Sequence, residues 1–72
     1  MSKDPKQIFG DNMRDFRKRA GMSQEKLAEV CGLHRTYIGA VERGERNISL
    51  INIVALAHAL EIKPAELLED IL

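Results

Sequence analysis

The chain has 72 residues, with 11 Lys and Arg balanced by 11 Asp and Glu, a formal net charge of +0, 44% hydrophobic residues and one cysteine. This describes a single small domain spanning residues 1–72, and chains below about 70–80 residues usually lean on disulfides, a metal or oligomerisation for stability. Lone Cys31 excludes an internal disulfide. Cys31, His34 and His58, with no C-x-x-C pair, exclude an ordinary structural zinc site, so self-association is the remaining support.

The longest stretch without a formal charge, residues 47–60, contains Asn47, Ser49, Asn52 and His58 and falls short of the roughly 20 apolar residues of a membrane crossing. The opening MSKDPKQIFG lacks the apolar core of a secretory leader. Together with the unpaired cysteine, these features lead us to expect a cytoplasmic protein without membrane association.

The neutral total conceals a distribution. Residues 1–46 hold ten bases against seven acids, a net of +3, while residues 47–72 hold one base against four acids, a net of −3. Asymmetry of this size hints at a nucleic-acid partner for the first part, although it is also common by chance.

Strand signals are nearly absent, and helical spacing dominates. Phe9, Met13, Phe16 and Ala20 share one helical face that Gly21 can end. Ser23 suits the N-cap of a second helix with a short apolar stripe of Leu27, Ala28 and Cys31, although Lys26 stands where a capping box wants Glu or Gln. Gly32 interrupts, and a third helix over residues 35–43 buries Ile38 and Val41 before Gly44 stops it. Asn47 or Ser49 can cap a fourth helix with apolar positions Leu50, Ile53, Val54, Ala57 and Leu60. Pro64 suits the first turn of a fifth helix, over about residues 64–72, with Leu67, Leu68, Ile71 and Leu72 on its apolar side. The fold class is therefore all-α, a compact five-helix bundle.

The second and third helices, over about residues 24–43, carry the specific signal. A helix-turn-helix needs a small residue where its helices cross, a residue free to take positive φ in the turn, and branched apolar residues rooting the second helix. Ala28, Gly32, and Ile38 with Val41 meet these needs together. An ordinary αα-hairpin is the plain alternative on spacing alone.

The runs Gln24-Glu25-Lys26-Leu27-Ala28, Leu33-His34-Arg35-Thr36-Tyr37-Ile38 and Val41-Glu42-Arg43-Gly44 resemble the Xre family of phage-repressor and Cro-type, lambda-repressor-like DNA-binding domains. Within that family, Arg35-Thr36-Tyr37-Ile38 followed by Glu42-Arg43 and Arg46-Asn47 is similar to the controller proteins of restriction–modification systems. The resemblance implies a homodimeric transcription regulator that binds double-stranded operator DNA and uses no cofactor.

With the third helix in the major groove, Arg35 can offer a bidentate fork to guanine, and Thr36 a hydroxyl or methyl to a base edge; the plain alternative for Arg35 is a solvated arginine. Tyr37 has two readings: a half-buried core aromatic, or a phosphate contact through its hydroxyl, which we favour because Ile38 and Val41 already supply the core face. Gln24 stands where family members bond a phosphate, at a helix N-terminus that favours anions. Arg43, Arg46 and Asn47 are expected along the DNA backbone, with Arg46 also reaching a base by resemblance, or are plain loop residues. The resemblance further implies an ion pair between Arg17 and Glu42, against the alternative of two separate surface charges. His34 is a weak N-cap. Gly39 within the third helix either allows closer approach to DNA or is a local weakness.

The acidic second half should face away from DNA, and Ile62, Leu67, Leu68, Ile71 and Leu72 are the candidate two-fold interface, some of them lost to the monomer core. Such a dimer places its recognition helices about 34 Å apart. An enzyme built on Cys31 with His34 or His58 lacks a third orienting residue, so no catalytic function is expected. An antitoxin or protein-binding adaptor of the same fold is the alternative reading, and no small-molecule site is signalled.

Overall fold

The computed structural model describes residues 4–72, so Lys3 of the basic half lies outside the described residues. The chain folds into α1 (Pro5–Arg19), α2 (Gln24–Cys31), α3 (Arg35–Glu42), α4 (Leu50–Leu60) and α5 (Pro64–Leu67), with no strand among the described residues. Helix α1 begins one turn before its first core residue because Asp4 accepts from the Lys6 N–H at 2.8 Å and Pro5 fills a position whose N–H would have no partner. Ser23 and Ser49 cap α2 and α4 through the N–H groups of Lys26 at 2.9 Å and Asn52 at 3.2 Å. Ser49, not Asn47, is thus the α4 cap. Gly32 takes φ +76° between α2 and α3, a left-handed conformation that strains any residue with a Cβ.

Helix α3 is wedged between α1 and α2, while α4 packs on α2 and α5, and α5 returns to α1. Phe9, Met13, Leu27, Ala28, Ile38, Val41, Ile53, Leu56, Ala57, Leu60 and Leu67 form one core. Several positions differ from the sequence reading. Phe16 is half-buried and Ala20 exposed, because α1 runs past the end of the core. In α4 the buried stripe includes Leu56, whereas Leu50 is 73% exposed and Val54 only half-buried. Leu50 is the first residue of α4 and stands outside its buried stripe of Ile53, Leu56, Ala57 and Leu60.

The C-terminal segment needs two corrections. The helix expected over residues 64–72 ends at Leu67, where Asn12 of α1 donates to the carbonyls of Leu67 at 3.0 Å and Glu69 at 2.9 Å. Those carbonyls are thereby satisfied without further helical turns, and Asp70 reverses the chain at φ +68°. Leu67, a candidate for the subunit interface, is 0% exposed within the monomer and belongs to its core. Ile62 and Ile71 are half-buried against that core, leaving Leu68 and Leu72 exposed.

Two contacts fix how α1 meets α3. The first is steric: a Cβ at Gly10 would fall on the carbonyl oxygen of Val41 and within 2.7 Å of that of Glu42. The second is the ion pair of Arg17 with Glu42, Nε to Oε2 at 2.6 Å and Nη2 to Oε1 at 3.1 Å, with Glu42 only 3% exposed. The pairing implied by the resemblance is present, and it is buried.

These contacts set two expectations for urea unfolding. Gly10→Ala gains about 1 kcal/mol of helix propensity but collides with backbone that cannot step aside, for a net loss of about 1–2 kcal/mol. Gly39→Ala comes closest to the flexible Arg43 guanidinium, at 3.2 Å, with Gln24 Oε1 at an ordinary contact distance of 3.6 Å, and should stabilise by about 0.5–1 kcal/mol; equal midpoints for the two variants would refute this account of the crossing. Glu42→Ala leaves Arg17 without its partner and should lose about 3–5 kcal/mol, enough to unfold much of a domain this small, whereas a loss below about 1 kcal/mol would show the pair to be dispensable.

Candidate nucleic-acid interface

Helices α2 and α3 bring their N-terminal ends to one side of the molecule. Between them lies an open groove of about 500 Å³ lined by Arg17, Ser23, Gln24, Glu25, Arg35, Thr36, Gly39 and Arg43. Its floor is polar and organised by Glu42, which receives Arg17 and, at Oε1, the Gln24 amide at 3.0 Å. Arg17 Nη1 also donates to the Met22 carbonyl at 2.9 Å, tying the α1–α2 loop to the same point. Gln24 is therefore held in place: one amide hydrogen serves Glu42, and the second remains available to a ligand at the start of α2.

Gly39 shows why a residue of poor helix propensity stands inside α3. Its Cα faces the groove, and a Cβ there would meet Arg43 Nη1 at 3.2 Å and Gln24 Oε1 at 3.6 Å. The missing side chain leaves space for two polar groups that converge on the groove. His34 makes no side-chain cap bond, so the first N–H groups of α3 rely on other partners.

Arg35 and Thr36 are exposed at the first turn of α3. Arg35 Nη1 donates to Glu25 Oε1 at 2.9 Å, leaving the Nε and Nη2 edge of the guanidinium outside that bond. Arg43 forms a two-point bond with Glu45, Nε to Oε2 at 2.8 Å and Nη2 to Oε1 at 3.2 Å. The hydrogen bonds with Glu45, and then its charge, hold the Arg43 guanidinium above its ordinary value, and the hydrogen bonds from Arg43 hold the Glu45 carboxyl below the usual carboxylate range. Both groups lie in solvent, where such pairs are weak and exchange readily for another anion.

Tyr37 is half-buried, as the first of its two readings in the sequence expects. Its ring packs half-buried against the core, yet its hydroxyl reaches Asn52 Nδ2 at 3.2 Å and the Arg46 guanidinium lies over the ring, 5.1 Å from its centroid. That stacking orients Arg46 beside the exposed Asn47 on the loop after α3. Sequence reasoning missed Glu25, Glu45 and Asn52, the partners of Arg35, Arg43 and Tyr37. Glu25 and Asn52 meet their partners only across helix crossings, so spacing along the chain held no signal for them; the Arg43–Glu45 pair, two residues apart, was open to inspection.

Among the described residues no group of three or more His, Cys, Asp or Glu could hold a metal, and no helix is long and apolar enough to cross a membrane. Cys31 is half-buried and its thiol bonds weakly to the Ala28 carbonyl, with Sγ 3.7 Å from the oxygen.

Comparison with known proteins agrees with this geometry. Residues 13–67 match the helix-turn-helix family model. Control protein C.SmaI of Serratia marcescens is 51% identical over 65 residues, covering 90% of this chain and 77% of that protein. Control protein C.BamHI of Bacillus amyloliquefaciens is 47% identical over 70 residues, covering 96% and 86%. The crystal structure of the restriction–modification controller protein C.AhdI from Aeromonas hydrophila superposes with a TM-score of 0.85 at 53% identity, covering 86% of this chain and 94% of that one. With α2 and α3 crossing at Gly32 and the exposed first turn of α3 beside a polar groove, the chain belongs to the helix-turn-helix family of DNA-binding transcription regulators.

Proposed function

We propose that this regulator is the controller protein of a restriction–modification system, acting in the cytoplasm, without catalytic activity, as a homodimer on a pseudo-palindromic operator. One observation carries the reading: Arg35 and Thr36 project from the exposed start of α3 into the same groove that gathers Gln24 and Arg43. In the major groove, Arg35 and Thr36 read base edges, and Arg46, oriented by Tyr37, reaches a further base. Gln24, Tyr37, Arg43 and Asn47 contact the DNA backbone, which fixes register without reading sequence. The family resemblance to control proteins, at about half the residues, supports the finer assignment.

The dimer surface is revised from the sequence reading. Leu50, Ile51, Leu68 and Leu72 are the large apolar residues exposed on α4 and the C-terminal segment, in the half of the chain with net negative charge. They form the core of the two-fold contact, with Ile62 and Ile71 at its edge and Leu67 supporting it from inside the monomer.

Binding-site selection checks the readout: Arg35→Ala should lose preference at one base pair per half-site, and recovery of the unchanged motif would remove Arg35 from the readers. In the intact protein, log affinity should fall with log salt at a slope of about −0.9 for each phosphate neutralised, so a flat response would refute DNA binding. Sedimentation should give twice the monomer mass at micromolar concentration. Ile51→Glu should halve it without unfolding the chain, since Ile51 is 80% exposed in the monomer; a persisting dimer would place the interface elsewhere.

A further inference from the structure

Asn52 stands on the first turn of α4, and its side chain leaves that helix to meet α3. Its backbone N–H is fixed by Ser49 Oγ at 3.2 Å, and its Nδ2 donates to the Tyr37 hydroxyl oxygen, also at 3.2 Å. A phenol has one hydrogen to give and an oxygen that accepts. With Asn52 donating in, the hydrogen of Tyr37 turns away from α4 and has no acceptor among the described residues. The ring itself is packed against the core and carries Arg46 at 5.1 Å from its centroid, which places the hydroxyl between Asn52 and the surface outside the core.

Phosphate oxygens in DNA accept hydrogen bonds and never donate them. A tyrosine whose proton were engaged inside the protein would present only a lone pair to them and would be repelled. We propose that Asn52 is a positioning residue of the DNA interface: by occupying the acceptor side of Tyr37, it commits the phenolic proton to a backbone phosphate oxygen. The inference deepens, and rests on, the reading of Tyr37 as a backbone contact. Asn52 acts through Tyr37, and neither residue carries a cationic side chain, so neither adds a released counterion to the binding reaction.

The test is a double-mutant cycle read by equilibrium binding to an operator duplex selected with the intact protein. Tyr37→Phe should weaken binding about threefold to tenfold on operator and on base-substituted duplexes alike, with the salt slope unchanged. Asn52→Ala should weaken it about twofold to fivefold in the otherwise unchanged protein, and not further in the Tyr37→Phe background. Any folding defect from Asn52→Ala would appear in both backgrounds, so an equal loss in both overturns the proposal, as does no loss in either. A Tyr37→Phe variant that binds as well as the parent would instead refute the backbone contact of Tyr37 itself, and the proposal would fall with its premise.

Discussion

The buried carboxylate of Glu42 is the constraint on which the rest of the structure depends. It closes α3 at 3% exposure and is neutralised from α1 by Arg17 and bonded from α2 by Gln24. Burying such a charge is unfavourable unless its lone pairs are filled, and here two side chains from two other helices fill them. The network need not add much net stability to act as it does. Any rotation of α3 away from the observed crossing would strand a carboxylate in a site closed to water, so the packing of three helices is restricted to arrangements that keep all three residues together. Gly10 enforces the same crossing by a different force, because only a residue without a Cβ lets α1 lie against the Val41 and Glu42 carbonyls.

From that fixed crossing, the surface chemistry of the groove follows. Gln24 is anchored to the network, so the start of α2 presents a positioned amide, while Gly39 keeps the space beside it open. Arg35 and Arg43, by contrast, are free to be recruited. Each is paired with an exposed carboxylate, Glu25 or Glu45, in bonds that solvent screens. Phosphate or guanine can replace those partners at modest loss, whereas nothing in solution replaces Glu42 for Arg17. Rigid and exchangeable arginine pairs therefore lie side by side, and their difference is one of burial.

The sequence made the helix-turn-helix legible because that motif rests on local demands: Ser23 as a cap, Gly32 at a positive φ, Ala28 at a crossing and branched residues at helical spacing. The groove residues Arg35, Thr36 and Gln24 were legible for the same reason, since their place on a helix end follows from the cap. Positions fixed by distant neighbours were not. Leu67 is indistinguishable from Leu68 and Leu72 on the apolar side of its own segment, and it lies in the core because α5 packs on α1 and α4. The short α5 depends on Asn12, 55 residues earlier than the Leu67 carbonyl it receives. Asn52 carries no pattern of its own, and its significance exists only where α4 crosses Tyr37.

Net charge takes on a different meaning once these pairs are known. A total of +0 offers little general attraction to a polyanion, and two of the arginines facing the groove are further offset by their own glutamates. Under the proposed function, non-specific binding, which rests on released counterions, is therefore expected to be weak. Under the proposed readout, specific binding draws instead on placed groups, the Gln24 amide held by Glu42 and the Arg46 guanidinium stacked on Tyr37, together with the edge of Arg35 that lies outside its bond with Glu25. On the proposed reading, discrimination would come from withholding charge from the wrong sequence as much as from placing donors for the right one.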